Sequence, residues 1–248
     1  MAIAHDSEIL GAANTVAGNY DTAITPTNTP KGVCVILVQG GLASDLVTSV
    51  VYGTGAGSVA LTRRDFRTES TEAGAVYVYW AGGNNVFPAG AQTVRVVRSG
   101  TTNIRAAIST MTVTAGQVVD VDSNATGTSA AVANPSWTHT SLANNVVAYL
   151  GIHSGINAMT LAPATNWTGA PTPGFDDIGN FGRGWARRAL ATAGALAPGW
   201  TIASDDYVAC SIAFKEVPPP QLVTDPVYPA NAGRQSSAGR EAATLLNP

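Results

Sequence analysis

The 248 residues suffice for one large domain or two smaller ones with a substantial core. Charged residues make up only 12% of the chain, about half the usual share of a soluble domain, and small neutral residues replace them. The net charge of −3 and the pI near 5.5 exclude the basic surface that nucleic acids and anionic membranes require. A surface so poor in charge favours association, so the composition indicates a protein whose surfaces are covered by partners.

The first 31 residues are predicted to form an extended N-terminal arm. The sequence begins MAIAHDSEILG, without the basic and apolar regions of a signal peptide, and no run in the chain reaches the ~18 apolar residues of a membrane span. We therefore expect a protein that is made in a cytosol, remains soluble and binds no membrane. The arm ends with TPTNTP, and we expect it to dock on a neighbouring subunit.

From Gly32 onward, β-branched and aromatic runs alternate with Gly, Asn, Pro and Asp, which is the pattern of short strands and turns. The run GVCVILVQ at 32–39 is continuously apolar, so it predicts a strand buried on both faces. Further strands of this first set are predicted at 47–52, 59–66, 75–80, 92–98, 104–113 and 117–122.

A second set of strands follows Asn134-Pro135. VVAYLGIH at 146–153 repeats the pattern of the first buried run, and strands are also predicted at 185–190, 199–203 and 207–215. About a dozen short strands at regular spacing predict an all-β domain, an antiparallel β-sandwich over residues 32–217.

The order of these segments resembles a jelly-roll-like β-sandwich family that is widespread among bacteriophage virion proteins and bacterial surface proteins. The resemblance runs from about Pro30 to Pro218 and consists of strand and turn patterns without a catalytic signature. It implies a fold and a virion or surface context, and it assigns no residue an activity. The segments that carry it are GVCVILVQGG, LVTSVVYG, VALTRRDF, AVYVYWAGGNNVFPAGAQTVRVVRSG, NNVVAYLGIHSG and DDYVACSIAFKEV.

The C-terminal tail, residues 218–248, departs from this family pattern. Its sequence is rich in Pro, Ala, Gly and Ser and has no core-forming periodicity, so alone it should be disordered. Fully extended at ~3.3 Å per residue, it would reach on the order of 100 Å, far enough to cross a neighbouring subunit. We predict a partner-binding strap whose contact residues are Pro218, Pro219, Pro220, Pro226, Tyr228 and Pro229, with Leu245 and Leu246 as an apolar anchor.

No catalytic, cofactor or metal site is predicted. The three histidines lack the spacing of zinc ligands, and the chain has no Gly-X-Ser-X-Gly elbow. Turn carboxylates leave two alternatives open, a calcium site and the paired acids of a glycan hydrolase. The carboxylates in question are Asp120, Asp122, Asp176, Asp177, Asp205 and Asp206.

Two residue pairs carry further hypotheses. Trp167 and Trp200 have Asn, Thr and Gly neighbours typical of turns, so both are expected to be exposed and available for stacking on a glycan. Cys34 and Cys210 lie in predicted strands and are expected to be buried free thiols; a disulfide between them would require neighbouring strands.

These observations favour a non-enzymatic structural protein of a bacteriophage virion, assembled in the cytoplasm of the bacterial host. The expected role is a capsid decoration (cement) protein, or another head or tail surface component. Its expected partners are the major capsid protein or other virion proteins, together with further copies of itself, for example in a trimer. The alternative is a lectin-like head or tail appendage that binds a host surface glycan.

Overall fold

The computed structural model describes residues 3–71, 74–155, 159–161, 167–169, 182–202 and 205–219. These residues form strands and turns, and they contain no helix that could cross a membrane. The strands are β1 (Ala4–Leu10), β2 (Gly18–Ile24), β3 (Gly32–Gly40), β4 (Val47–Tyr52), β5 (Val59–Glu69), β6 (Gly74–Ala81), β7 (Gln92–Arg98), β8 (Asn103–Thr112), β9 (Val118–Val132), β10 (Thr140–Ser141), β11 (Val146–Ser154), β12 (Met159–Leu161), β13 (Thr168–Gly169), β14 (Gly182–Leu190), β15 (Gly194–Ala195), β16 (Trp200–Ile202) and β17 (Asp205–Val217).

The larger sheet has eight antiparallel strands in the order β1-β8-β3-β6-β5-β4-β7-β2. It folds over along β5, because Val59–Leu61 pair with β4 whereas Thr62–Glu69 pair with β6. The two halves face each other and enclose a first core, in which side chains from β3, β6 and β8 pack against side chains from β2, β4 and β7. This half of the molecule is therefore a nearly closed sandwich.

The smaller sheet has five strands in the order β13-β14-β11-β17-β9, and it packs on the outer face of the larger one. The middle core between them joins residues of β3 and β6 to residues of β11 and β17. The sheets approach closely at Gly151, where a Cβ atom would overlap Ile36 Cγ2. Glycine is therefore required at this crossing of β11 and β3.

The outer face of the five-stranded sheet is also covered. The chain around β10, β15 and β16 lies over it and contributes Trp137, Leu196 and Trp200 to a third core. Both faces of β3, β6, β11 and β17 are thus buried, which explains why these strands are continuously apolar. The prediction of an all-β antiparallel sandwich is confirmed.

The N-terminal segment differs from the arm that we predicted. It is extended, but β1 pairs with β8 and β2 pairs with β7, so its two strands form the two edges of the larger sheet. Alternate residues of β2 point inward, and Tyr20 and Ile24 join the first core. The Tyr20 hydroxyl also donates a hydrogen bond to the Ala12 carbonyl at 2.6 Å. The segment belongs to the sandwich because it completes the first core.

The two cysteines lie on opposite sides of the middle core, Cys34 on β3 and Cys210 on β17. Both are free and buried. Burial raises the pKa of each thiol well above its ordinary value, so both sulfurs remain protonated in the folded protein.

The described chain ends at the surface, where Pro218 is exposed. Pro219 is described and half-buried, and the other residues of the predicted strap, Pro220, Pro226, Tyr228, Pro229, Leu245 and Leu246, lie outside the described residues.

Candidate functional site

The structure corrects the expectation that Trp167 and Trp200 are exposed. Trp167 is 7% exposed and Trp200 only 1%. Trp167 directly precedes β13 and Trp200 begins β16, so neither lies in a turn, and both indoles pack in the third core against the five-stranded sheet. The Trp200 ring stands on β14 at Gly184, where a Cβ atom would lie closer than any permitted contact to the ring. Neither ring offers a face on which a sugar could stack.

Two segments that cover the five-stranded sheet leave a cleft of about 500 Å³ between them, a size typical of binding pockets. Its walls come from two segments, 134–139 and 195–200. Backbone hydrogen bonds join the segments: Trp200 N donates to the Pro135 carbonyl at 2.9 Å, and Leu196 N donates to the His139 carbonyl at 2.8 Å. The cleft is therefore a defined feature of the fold.

Segment 134–139 alternates in exposure along its length. Asn134, Ser136 and Thr138 are exposed, whereas Trp137 and His139 are buried and point towards the sheet. The cleft thus has exposed polar side chains that can form hydrogen bonds, whereas Trp137 and Trp200 beneath them are buried.

A chain of buried hydrogen bonds lies beneath the cleft. Trp137 Nε1 donates to Ser211 Oγ at 2.9 Å, and Ser211 Oγ lies 2.8 Å from His139 Nδ1. On the other side of the ring, His139 Nε2 lies 3.0 Å from Ser123 Oγ, which donates to Asp122 Oδ2 at 3.1 Å. Every member has a partner if Ser211 donates to Nδ1 and a neutral imidazole donates from Nε2 to Ser123.

The electrostatics agree with a neutral ring. Burial lowers the pKa of His139 to about 4, while its hydrogen bond with Ser123 and the charge of Asp122 oppose that shift. His139 is therefore uncharged near neutral pH.

The arrangement contains serine, histidine and aspartate, but it is not a catalytic triad. Ser211 is only 1% exposed, so no substrate can reach its hydroxyl. Asp122 contacts Ser123 instead of the imidazole, so it does not orient His139 directly. These hydrogen bonds instead fasten segment 134–139 to β9 and β17. Sequence reasoning missed it because its members are far apart along the chain, Trp137 and Ser211 by 74 residues.

A half-buried polar cluster joins β1 to the five-stranded sheet. Glu8 accepts a hydrogen bond from Arg187 Nε at 2.9 Å and lies 3.5 Å from His5 Nε2. His5 Nδ1 lies 3.1 Å from the Tyr149 hydroxyl. Burial, assisted by the charge of Arg187, lowers the pKa of His5 to about 4. This cluster also serves to hold elements together.

The turn carboxylates do not assemble into a site within the described chain. Asp205 accepts a hydrogen bond from Ser154 Oγ at 2.5 Å, and Asp176 and Asp177 lie outside the described residues. Among the residues that are described, no group of three His, Cys, Asp or Glu side chains could hold a metal ion.

Comparisons of the sequence with models of protein families and with curated proteins give no match.

Proposed function

We propose that the chain is a non-enzymatic structural protein of a bacteriophage virion, a capsid decoration (cement) protein that docks on neighbouring subunits through its C-terminal tail. The observation that carries this proposal is the place where the tail begins. Val217, the last residue of β17, pairs with Val118 at the start of β9, the edge strand of the five-stranded sheet. Pro218 follows it and is exposed. The described chain therefore ends at the surface of a well-packed sandwich, where a strap would start.

The character of the sandwich supports the same proposal. Its three cores bury the apolar residues of both sheets, and the polar groups of His5 and His139 are used inside to join strands and loops. The surface carries few charges, so it is suited to close contact with other proteins. In this proposal the partners are the major capsid protein or other virion proteins and further copies of the chain, assembled in the host cytoplasm.

The docking role falls on the C-terminal tail alone. The N-terminal segment is already used as two strands of the larger sheet, so it is not available to reach a partner. Leu245 and Leu246 supply the apolar end of the proposed strap.

Deletion of residues 220–248 tests the proposal. The shortened protein should fold, remain soluble and melt close to the full chain, because the deletion leaves all three cores intact. It should be lost from gradient-purified virions, as measured by quantitative mass spectrometry of particles made in the host. A full-length variant with Leu245→Ser and Leu246→Ser controls for tail length and should show reduced incorporation. Undiminished incorporation of the shortened chain, or its failure to fold, would contradict the strap.

The lectin-like alternative has less support, because its two proposed stacking residues are buried. The same deletion distinguishes the two functions: binding to isolated host-surface polysaccharide should survive removal of the tail, whereas assembly should not.

A further inference from the structure

The stretch Ser123–Thr128 of β9, hereafter the β9 edge, is an open edge of the five-stranded sheet. β9 is the outer strand of that sheet, and the register partners of this stretch all lie on β17. Within the described ranges, no hydrogen bond joins its backbone to anything but β17. In an antiparallel pair every second residue directs its N–H and C=O groups away from the partner strand, so the β9 edge presents donors and acceptors to a further strand.

The start of β9 is covered, which limits the open edge to this stretch. Gly83 N donates to the Val119 carbonyl at 2.7 Å, and Leu142 N donates to Asp122 Oδ2 at 2.8 Å. From Ser123 to Val132 the strand reads SNATGTSAAV, without a charge or a proline.

The other outer strands of the sheets are short or carry charges, which are two means by which proteins prevent unwanted strand pairing. β1 contains Asp6 and Glu8, and β2 contains Asp21. The part of β5 that has left β4 is an edge as well, and five of the seven residues in Arg63–Glu69 are charged. β13 and the strands of the two-stranded sheets have two or three residues each. The β9 edge has neither protection.

A groove of about 400 Å³ lies beside the β9 edge. It opens between the two sheets at the rim of the middle core, since Thr126 is the register partner of Cys210, which belongs to that core. Side chains of an added strand alternate between the two faces of the sheet, so those on one face can enter this groove. The lining residues are Phe66, Arg67 and Thr68 of β5 and Thr126 and Thr128 of β9.

The C-terminal tail contains one segment that is suited to strand addition. Residues 221–225 read Gln-Leu-Val-Thr-Asp and lie between Pro220 and Pro226, so every residue of the segment has an N–H donor. Val223 and Thr224 are β-branched and favour strands. Residues 227–228 are too few to form a ladder, and 230–247 are rich in Ala, Gly and Ser, which favour strands less.

The start of the tail directs this segment away from its own β9. Val217, Pro218 and Pro219 each precede a proline, and a residue before proline avoids the helical conformation that a tight reversal needs. The four residues from Val217 to Gln221 therefore span ~12 Å in an extended conformation, beyond the end of β17. A return to the β9 edge of the same chain would have to turn within 221–225 itself.

We propose that the β9 edge binds segment 221–225 from the tail of an adjacent copy as an added strand. Main-chain hydrogen bonds hold the segment, and the groove takes the side chains on one of its faces. Each copy has one β9 edge and one tail, so the contact is head-to-tail, and a closed ring of copies satisfies every edge. The inference deepens the proposed function and rests on the docking role that it gives to the tail.

Amide hydrogen exchange of the full chain, followed by NMR at a concentration where copies associate, tests the inference. The amides of 123–128 that point away from β17 should exchange about tenfold or more slowly than in the variant Val223→Pro/Thr224→Pro. Adjacent residues of a strand direct their N–H groups to opposite sides, so one of these prolines removes a hydrogen bond to β9 in either register.

The variant Ser236→Pro/Ser237→Pro is the matched control, because it adds two prolines to the tail outside the segment. It should keep the slow exchange of the native protein. A chain that stays monomeric, equal exchange in the native protein and in Val223→Pro/Thr224→Pro, or equal loss of protection in both variants would overturn the inference.

Mixed samples identify the copy that supplies the strand. A ¹⁵N-labelled Val223→Pro/Thr224→Pro chain keeps its β9 edge but cannot donate a strand, and it is equilibrated with an excess of unlabelled native chain. Slower exchange at 123–128 of the labelled chain supports docking between copies, and unlabelled variant in place of native chain should have no effect. Slow exchange in the native protein that is not transferred in this mixture would place the tail on its own chain and contradict the inference.

The two proposals can fail separately. If the β9 edge exchanges fast in the native protein while the deletion of 220–248 still abolishes incorporation into virions, the inference fails and the proposed function stands. If native chain protects the β9 edge of the labelled variant but the deletion leaves incorporation unchanged, the strand addition stands and the proposed function fails.

Discussion

Two histidines of this protein, the buried His139 and the half-buried His5, act as neutral bridges between elements that are distant in sequence. His139 joins β17 to β9 through Ser211 and Ser123, and His5 joins β1 to Tyr149 on β11. In both cases burial holds the pKa at about 4, far below the ordinary value of a histidine. A ring that is neutral can donate from one nitrogen and accept at the other, so each bridge depends on the absence of a proton.

This dependence predicts a loss of stability in mild acid. Because the pKa of His139 is lower in the folded state than the usual 6.5, its contribution is complete above about pH 6.5 and is lost as the pH falls towards 4. Replacement by Gln should lower the free energy of unfolding by about 1–3 kcal/mol near pH 7, since it disturbs a buried hydrogen-bond chain. The variant should lose less further stability on acidification than the native protein.

Urea unfolding of both proteins near pH 7 and near pH 4.5 measures this effect. The variant His5→Gln is the matched control, because His5 has a similarly lowered pKa at a different place in the fold. His5→Gln should remove only the part of the stability loss between pH 7 and pH 4.5 that His5 causes, and the part that His139 causes should remain. Equal losses of stability in the native protein and in His139→Gln would show that His139 does not titrate in this range.

At the scale of elements, the sequence predicts best the strands that are buried on both faces. The runs at 32–39 and 146–153 correspond to β3 and β11, because strands covered on both faces are apolar throughout. The limits predicted for β4 and β7 agree with the structure residue for residue. In β7 the alternation of inward and outward side chains was sufficient, since this strand borders only one core.

Edge strands were harder to predict. The prediction for β9 stopped at residue 122, whereas the strand continues to Val132 through a stretch of Ser, Asn, Ala, Thr and Gly. Those residues owe their strand conformation to pairing with β17 and, at Gly127, to close packing beneath Trp137. The burial of Trp167 and Trp200 and the bridge through His139 were not predictable for the same reason. They depend on which loop covers which sheet, and local sequence does not encode that relation.

The assignment of β2 to the sandwich leads to a test by substitution. Tyr20 is buried in the first core, so Tyr20→Ala should destabilise the protein by about 3–5 kcal/mol, as expected for loss of a large core side chain. Val16 lies four residues earlier and is 65% exposed, so Val16→Ala should change stability by about 0.5 kcal/mol or less. Urea denaturation of the two variants provides the comparison. Equal, small effects would mean that the segment is a free arm after all.

At the scale of the whole molecule, the middle core determines whether the two sheets unfold together. It is built from the outward faces of β3 and β6 and the inward faces of β11 and β17, so neither sheet can separate without exposing it. The first and third cores flank it on the far sides of these sheets. Because β3, β6, β11 and β17 each give one face to the middle core and the other to a flanking core, opening the middle core disturbs all three cores, and we expect a single cooperative unfolding transition.

The two cysteines provide a direct test, since one lies in each sheet on the wall of this core. Alkylation requires a thiolate, and both thiols are buried with raised pKa values, so each should react only after the core has opened. If opening is global, Cys34 and Cys210 will be modified at the same slow rate under native conditions, and moderate urea will accelerate both in parallel.

Mass spectrometry of time-quenched samples measures the two rates separately. A cysteine placed at Val86, which is 85% exposed, should react at once and sets the unprotected rate. Faster modification of Cys210 than of Cys34 would show instead that the five-stranded sheet opens while the larger sandwich remains folded, and the chain would then consist of two cooperative units.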